Sequence, residues 1–280
     1  MNNWKNIFLI VMSIIILSTL LFVFKEYIPN VANDENQPGE QTEQKQKGTD
    51  EEGAEQEEHP TNKKEDEVYW GVDSASKTTD ELYACVSDQF GDPKVWGRYI
   101  GDNKNVSVGL TGQEADYLHS KDIYILLIYN HVTDARGYEN GFNQAEEAVS
   151  LARSLDVPEG KAIFVDIEPG YPIDSEFLHG WYDGVKESVF EPGIYGVFAE
   201  EQNLYQEFVK AAQNVENFKK ETLIWSAHPQ AGITSQAKAP EYNAEAPEGS
   251  HVIGWQYGID AKSCHIDTNL FKGPILDYLW

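Results

Sequence analysis

Cysteine is nearly missing from this chain: Cys85 and Cys264 are the only two in 280 residues. That excludes a disulfide-dense scaffold and a cysteine-rich zinc module. The pair permits one disulfide in an outward-facing domain or, equally well, two buried thiols. Positive charge is scarce as well, with 21 Lys and Arg against 47 Asp and Glu and a formal net charge of −26. Phosphate binding needs clustered basic residues, and no basic patch is present, so a nucleic-acid partner is excluded. The seven histidines show no His-x-x-x-His or other ligand spacing, so no metal motif is read, although acids alone can hold calcium. Gly-x-Ser-x-Gly is absent, which argues against a serine hydrolase. A Gly-rich phosphate loop is absent too, and no cofactor is expected.

Long apolar runs are equally rare, and the one that exists is informative. Ile7 to Phe24 carries no charge, and at about 1.5 Å per helical residue it reaches close to the roughly 30 Å of a bilayer core. It is longer than a usual signal-peptide core, and no small-x-small cleavage pattern directly follows it. Lys5 precedes it, while Lys25 and Glu26 follow, a slight bias toward an N-terminus inside. The expected organisation is a cytoplasmic N-terminus over residues 1–6, a transmembrane anchor over 7–24, an acidic disordered linker over 25–67 and a folded domain over 68–280. The linker is expected because a stretch such as Asp50 to Glu58 offers no large apolar side chain to offset its ordering entropy. The folded domain is thus expected outside the cell, tethered by a single pass.

From Val68 onward, short β-rich runs alternate with amphipathic helical patterns, the mark of βα units around a mostly parallel sheet. Strands are expected at 68–73, 95–100, 123–129, 162–167, 193–198, 222–226 and 252–257, with a stub at 265–267. Several are continuous apolar runs, as where both faces are buried. Oxygen caps three residues before an acid are read at Thr78 with Glu81, Thr111 with Glu114 and Asn143 with Glu146. Eight strands but only about five convincing helices predict an irregular TIM-type β/α barrel with fewer than eight helices. A doubly wound open sheet is the alternative, without a phosphate loop to support it.

Sites on such barrels form at the C-terminal ends of strands. The first strand ends in Asp73, and the fourth in Asp166-Ile167-Glu168-Pro169, where strand alternation puts both acids on one face. A wet outer face is the ordinary place for carboxylates. The run Ala162 to Val165 leaves no such face, however, and two acids crowded in one mouth repel, which raises at least one pKa. Asp267 closes the ring beside Asp73, or serves as a turn cap. Tyr99, Tyr129, Tyr195, Trp225, Trp255 and Tyr257 sit at the same strand ends, where flat rings suit the C–H faces of a sugar, although part of this set is expected to pack the core.

The ordered motifs Gly71-Val72-Asp73-Ser74, Val165-Asp166-Ile167-Glu168, Pro192-Gly193-Ile194-Tyr195, Ile224-Trp225-Ser226-Ala227, Gly254-Trp255-Gln256-Tyr257 and Ile266-Asp267-Thr268-Asn269 resemble the glycoside hydrolase-like domain of unknown function DUF1906, itself similar to the family 25 lysozymes. The resemblance spans roughly Val68 to Trp280. It implies a barrel with fewer than eight helices and, as partner, peptidoglycan or another N-acetylated cell-surface glycan. It also implies Glu168 as proton donor to the leaving oxygen, with Asp166, Asp73 and Asp267 completing the site. The segment Pro169-Gly170-Tyr171-Pro172 looks more like the unknown-function group than the lysozymes. Two functions are therefore carried forward, a wall-glycan hydrolase and a non-catalytic glycan-binding protein using the same groove.

Overall fold

A computed structural model describes residues 67–280. The anchor expected over 7–24 and the linker up to residue 66 lie outside the described residues. Among the described residues, no helix is long and apolar enough to cross a membrane.

Eight strands close into a barrel in sequence order: β1 Val68–Asp73, β2 Val95–Tyr99, β3 Tyr124–Tyr129, β4 Ala162–Ile167, β5 Glu191–Gly196, β6 Leu223–Ala227, β7 His251–Gly258 and β8 Asp267–Lys272. Six α-helices lie between them: α1 Asp80–Gln89, α2 Gly112–His119, α3 Tyr138–Ser154, α4 Ser175–Lys186, α5 Asn203–Asn214 and the single turn α6 Phe218–Glu221. The irregular barrel with fewer than eight helices is the observed fold. β1 through β7 run parallel to their sequence neighbours, while β8 is antiparallel to both β7 and β1. No helix joins β7 to β8, and a connection this short can only reverse direction.

Strand alternation divides the apolar side chains between two cores. Val95, Leu126, Ile128, Ala162, Phe164, Leu223, Trp225 and Phe271 fill the barrel. Ile125, Leu127, Ile163, Val165 and Ile194 point outward and pack with helix residues such as Ala145, Ala148, Phe177, Trp181 and Phe208. The N-terminal end of the barrel is plugged by the segment after β8, which contributes Ile275 and Leu279 to the inner core. Its backbone docks there, the Ile125 amide donating to the Trp280 carbonyl at 2.6 Å and the Ala162 amide to that of Tyr278 at 2.8 Å. Only the opposite end, where β1 to β7 terminate, is left for a site.

Several expected boundaries move. The stub at 265–267 is instead the start of a six-residue strand at Asp267, because Cys264 and His265 adopt positive φ and make the turn that precedes it. The first helix is capped by Thr79, whose hydroxyl accepts from the Leu82 amide. Thr78 is instead buried, its amide donating to Glu114 at 2.7 Å. Thr111 caps α2 as expected. Asn143 caps nothing, because α3 begins five residues earlier at Tyr138. There Gly137 takes φ 83°, and its amide finds an acceptor in the Asp174 carboxylate at 2.9 Å. Cys85 in α1 and Cys264 before β8 are joined as a disulfide, with Cα atoms 5.7 Å apart.

Glycines set the closeness of α3 and α4. A Cβ on Gly180 would lie 2.1 Å from the Tyr138 carbonyl oxygen, and one on Gly141 would lie 2.1 Å from that of Phe177. Gly180→Ala should therefore push the helices apart and cost about 1–3 kcal/mol despite its better helix propensity. Urea unfolding of this variant at neutral pH checks it, and a stability equal to or above that of the wild type would show the contact to be slack.

Candidate functional site

Four acids and two tyrosines meet at the open end of the barrel. Asp73 ends β1, and its register partner is Asp267 at the start of antiparallel β8. Directly opposed residues in an antiparallel pair keep their Cβ atoms about 4.5–5.5 Å apart, so the two carboxyl groups share one corner. Asp166 follows Phe164 on the inward face of β4, and Glu168 continues that face one step past the strand, at the solvent-exposed rim. Asp73 and Asp166 are only 4% and 6% exposed.

The electrostatics report the same convergence. Burial first, then the charge of Asp267, pushes Asp73 up to about 8, against hydrogen bonds from Asn269 and Gln256 and the more distant Arg98 charge, which hold it down. Asp267 is pushed up to about 6, chiefly by burial. Asp166 is held well above the ordinary carboxylate range by burial, then Glu168, then Asp73, and burial also raises Glu168. Tyr99 is raised by burial and by all four acids, and Tyr195 by burial and by three of them together with Tyr99. A low-dielectric mouth cannot hold four negative charges at once, so protons stay bound to higher pH than free carboxyl groups would keep them. Oδ1 of Asp166 is buried without a hydrogen-bond partner among the described residues, the kind of atom that a ligand completes.

Amide side chains organise this corner. Gln256 on β7 donates through Nε2 to Oδ2 of Asp73 at 3.0 Å and to Oδ2 of Asp267 at 3.3 Å, and its Oε1 accepts from the Tyr195 hydroxyl at 2.7 Å. Asn269 on β8 donates through Nδ2 to Oδ2 of Asp73 at 2.7 Å and accepts from the Trp225 indole at 2.9 Å. Oδ1 of Asp267 accepts from the Asp260 amide at 2.6 Å. Gln256 and Asn269 stand inside the expected motifs without an expected role. Their signal is a polar residue placed mid-strand beside large apolar neighbours, between two aromatics in Trp255-Gln256-Tyr257 and ahead of two apolar residues in Asn269-Leu270-Phe271.

A second polar knot braces the loops above β1 and β2. Arg98 is fully buried on the outer face of β2, with Nε on Glu114 at 2.7 Å, Nη1 on the Ser74 carbonyl at 2.6 Å and Nη2 on the Val108 carbonyl at 2.9 Å. It ties the turn after Asp73 to the loop after Tyr99.

The aromatic set divides. Tyr99 and Tyr195 stand half-buried among the acids. Trp225 points inward but is fully buried between Phe164, Tyr195 and Phe271, where it forms the floor below the acids. Tyr129, Trp255 and Tyr257 do not reach the site, a correction to the expected substrate-binding group. They occupy outward positions of their strands and are buried against the helices and the β6–β7 connection. Tyr129 stacks on Trp181 and donates to Gln144, Trp255 donates to the His228 carbonyl, and Tyr257 accepts from Trp70.

No group of three or more potential ligands suited to a metal ion occurs among the described residues. A cavity of about 260 Å³ between α3 and α4, lined by Phe142, Glu146, Arg153 and Glu187, lies on the helical outside of the barrel.

Residues 92–269 match the family described as Rv2525c-like, glycoside hydrolase-like domain. Asp73 lies ahead of the matched segment, while Asp166, Glu168, Gln256, Asp267 and Asn269 lie within it. An uncharacterized B. stearothermophilus protein of known structure is 38% identical, with a TM-score of 0.74, over 76% of this chain and 100% of its own. More distant are the Clostridium perfringens spore cortex lytic enzyme SleM, 12% identical with a TM-score of 0.49 over 76% of this chain and 69% of that one, and a family GH25 lysozyme from Aspergillus fumigatus, 14% identical with a TM-score of 0.45 over 75% and 96%. None of the curated proteins matches the chain.

A carboxyl group with a raised folded pKa contributes stability that is fully present below its unfolded pKa and is lost as pH rises through the folded value. For Asp73 the loss runs from about 4, the value of a free Asp, to about 8. Wild-type melting temperature should fall by several degrees across that window. Asp73→Asn, which keeps an acceptor for both amides, should flatten the slope and melt higher than the wild type at about pH 9. Parallel pH profiles for the two proteins would contradict the assignment of the buried proton.

Proposed function

Because the chain belongs to the Rv2525c-like glycoside hydrolase-like family, we propose that its barrel acts on peptidoglycan or a related cell-wall glycan by carboxylate acid/base catalysis, held outside the cell by the N-terminal anchor. The observation that carries this reading is the pair Asp166 and Glu168, adjacent on the inward face at the end of β4 and both raised above the ordinary carboxylate range. A general acid must still hold its proton near the working pH. Burial supplies that condition for Glu168, and burial together with the neighbouring acids supplies it for Asp166.

The roles follow from depth. Glu168, at the rim and open to solvent, is the group that protonates the glycosidic oxygen of a bound sugar and exchanges its proton with water. Asp166 lies deeper, with an unsatisfied oxygen, and faces the anomeric side of the same sugar. Tyr99 and Tyr195 flank it. The wall glycan is proposed from the resemblance of the motifs and from the outward orientation expected of the anchor, with the acidic linker setting the reach of the domain from the membrane.

One observation favours the second reading, a non-catalytic glycan-binding protein. Oδ2 of Asp73 is occupied by two amide donors, so part of the acid set is committed to holding the mouth together. Turnover separates the two. With purified peptidoglycan and the full-length chain, Glu168→Gln should lower the release of reducing ends by about 100-fold or more, the usual worth of a general acid. Equal activity in the two proteins would remove Glu168 from the mechanism, and wild-type binding without any release would establish the binding reading.

A further inference from the structure

The Asp73 corner has a hydrogen-bonding polarity that its neighbours impose. Two amide N–H groups, from Gln256 on β7 and Asn269 on β8, converge on a single oxygen, Oδ2, at 3.0 and 2.7 Å. Each amide is itself oriented by a third group. Tyr195 donates to the Gln256 carbonyl, and the Trp225 indole donates to that of Asn269. The indole can only donate, so Asn269 cannot turn over without setting donor against donor; the Tyr195 hydroxyl can accept as well as donate, so it orients Gln256 less strictly. Oδ2 is thereby fixed as an acceptor, whatever the charge of the carboxyl group. Any proton on Asp73 must sit on Oδ1, and among the described residues no hydrogen bond reaches that atom.

We propose that Gln256 and Asn269 are positioning residues that hold Oδ2 of Asp73 as an acceptor and so direct the proton of the buried acid to Oδ1, from which it donates to an oxygen of the bound glycan. The proposal rests on the glycan reading of the site and deepens it, because it asks the ligand for an acceptor at this corner, a hydroxyl or acetamido carbonyl oxygen. It separates Asp73 from the other acids. Asp73 touches the ligand as a neutral donor, while Glu168 and Asp166 remain the pair that handles charge. The surroundings suit a neutral group. Asp267 stands directly opposite on β8, Asp166 and Glu168 face the same mouth, and the one cation acting on Asp73, Arg98, is on the outer face of β2 and engaged by Glu114.

Asparagine distinguishes a donor from a carboxylate. Asp73→Asn keeps an oxygen for the two amides and places an N–H₂ where Oδ1 stood, whereas Asp73→Leu keeps only the bulk. Binding of a soluble tetrasaccharide of alternating N-acetylglucosamine and N-acetylmuramic acid to the full-length chain, measured by calorimetry, should weaken about tenfold or more in Asp73→Leu, the worth of one buried hydrogen bond. Asp73→Asn should recover most of that loss. Adding Asn269→Leu to Asp73→Asn should lose it again, because the remaining partner, Gln256, can turn against the Tyr195 hydroxyl and no longer holds the oxygen inward. An Asp73→Asn variant as weak as Asp73→Leu would overturn the proposal and make Asp73 a working carboxylate.

A ligand-free measurement keeps the assignment separate from the glycan. Carbon-13 NMR of the Asp73 carboxyl should show it protonated at neutral pH, titrating near 8, with the midpoint displaced upward in Gln256→Leu. An ionised Asp73 at about pH 6 would also overturn the proposal. If neither the wild type nor any variant binds the tetrasaccharide, the wall-glycan reading falls, and the NMR titration alone decides whether Asp73 is a donor.

Discussion

Burial of carboxyl groups is the constraint around which this barrel is arranged. An isolated buried carboxylate is among the most expensive groups a fold can hold, and the usual remedies are a cation, a hydrogen-bond donor or retention of the proton. Here the one buried guanidinium is on the far side of β2, engaged by Glu114 and two backbone carbonyls. The acids at the mouth are left with neutral side-chain and backbone amides and their own protons. That arrangement gives the site its chemistry. A hollow that keeps protons near neutral pH can donate them, and one lined by amides rather than cations leaves room for a neutral, oxygen-rich ligand.

Much of the architecture was legible because each strand is a run of apolar residues bounded by turn residues. β1 and β4 match their expected bounds, and the inward acids followed from the period of two. The last strand was misread for a local reason. The reversal at Cys264 and His265 uses positive φ at non-glycine residues, for which composition gives no warning. The N-terminus of α3 was misplaced because its acceptor, Asp174, comes from the connection before α4, a long-range partner that a local cap search does not see.

The acids of the site were readable and half of its aromatics were not, and the difference is physical. A carboxyl group in an otherwise apolar strand has few uses, so its position is informative. An aromatic ring is equally at home in a ligand groove and in a core, and at strand ends the choice depends on which side of the sheet it faces. Tyr129, Trp255 and Tyr257 fall on outward positions, where the helices cover them. Gln256 and Asn269 were hidden by the same ambiguity in reverse. An amide in a strand suggests an exposed edge, and only the pairing of β8 with β1 shows that both reach Asp73.

That pairing has a consequence for the order in which the molecule can be built. β1 is made first, yet one of its two neighbours in the sheet, and both amides that hold its terminal acid, come from residues nearly two hundred positions later. Contacts so distant in sequence form late and carry a large loop-closure cost. Until they form, Asp73 has no reason to keep its proton and the inner core has a gap along one side. The seam that completes the acid corner is also the seam that the disulfide spans, from α1 to the turn before β8. During synthesis the nascent domain is therefore an open, curling sheet with a long unpaired edge, exposed to misassociation until its final strand arrives.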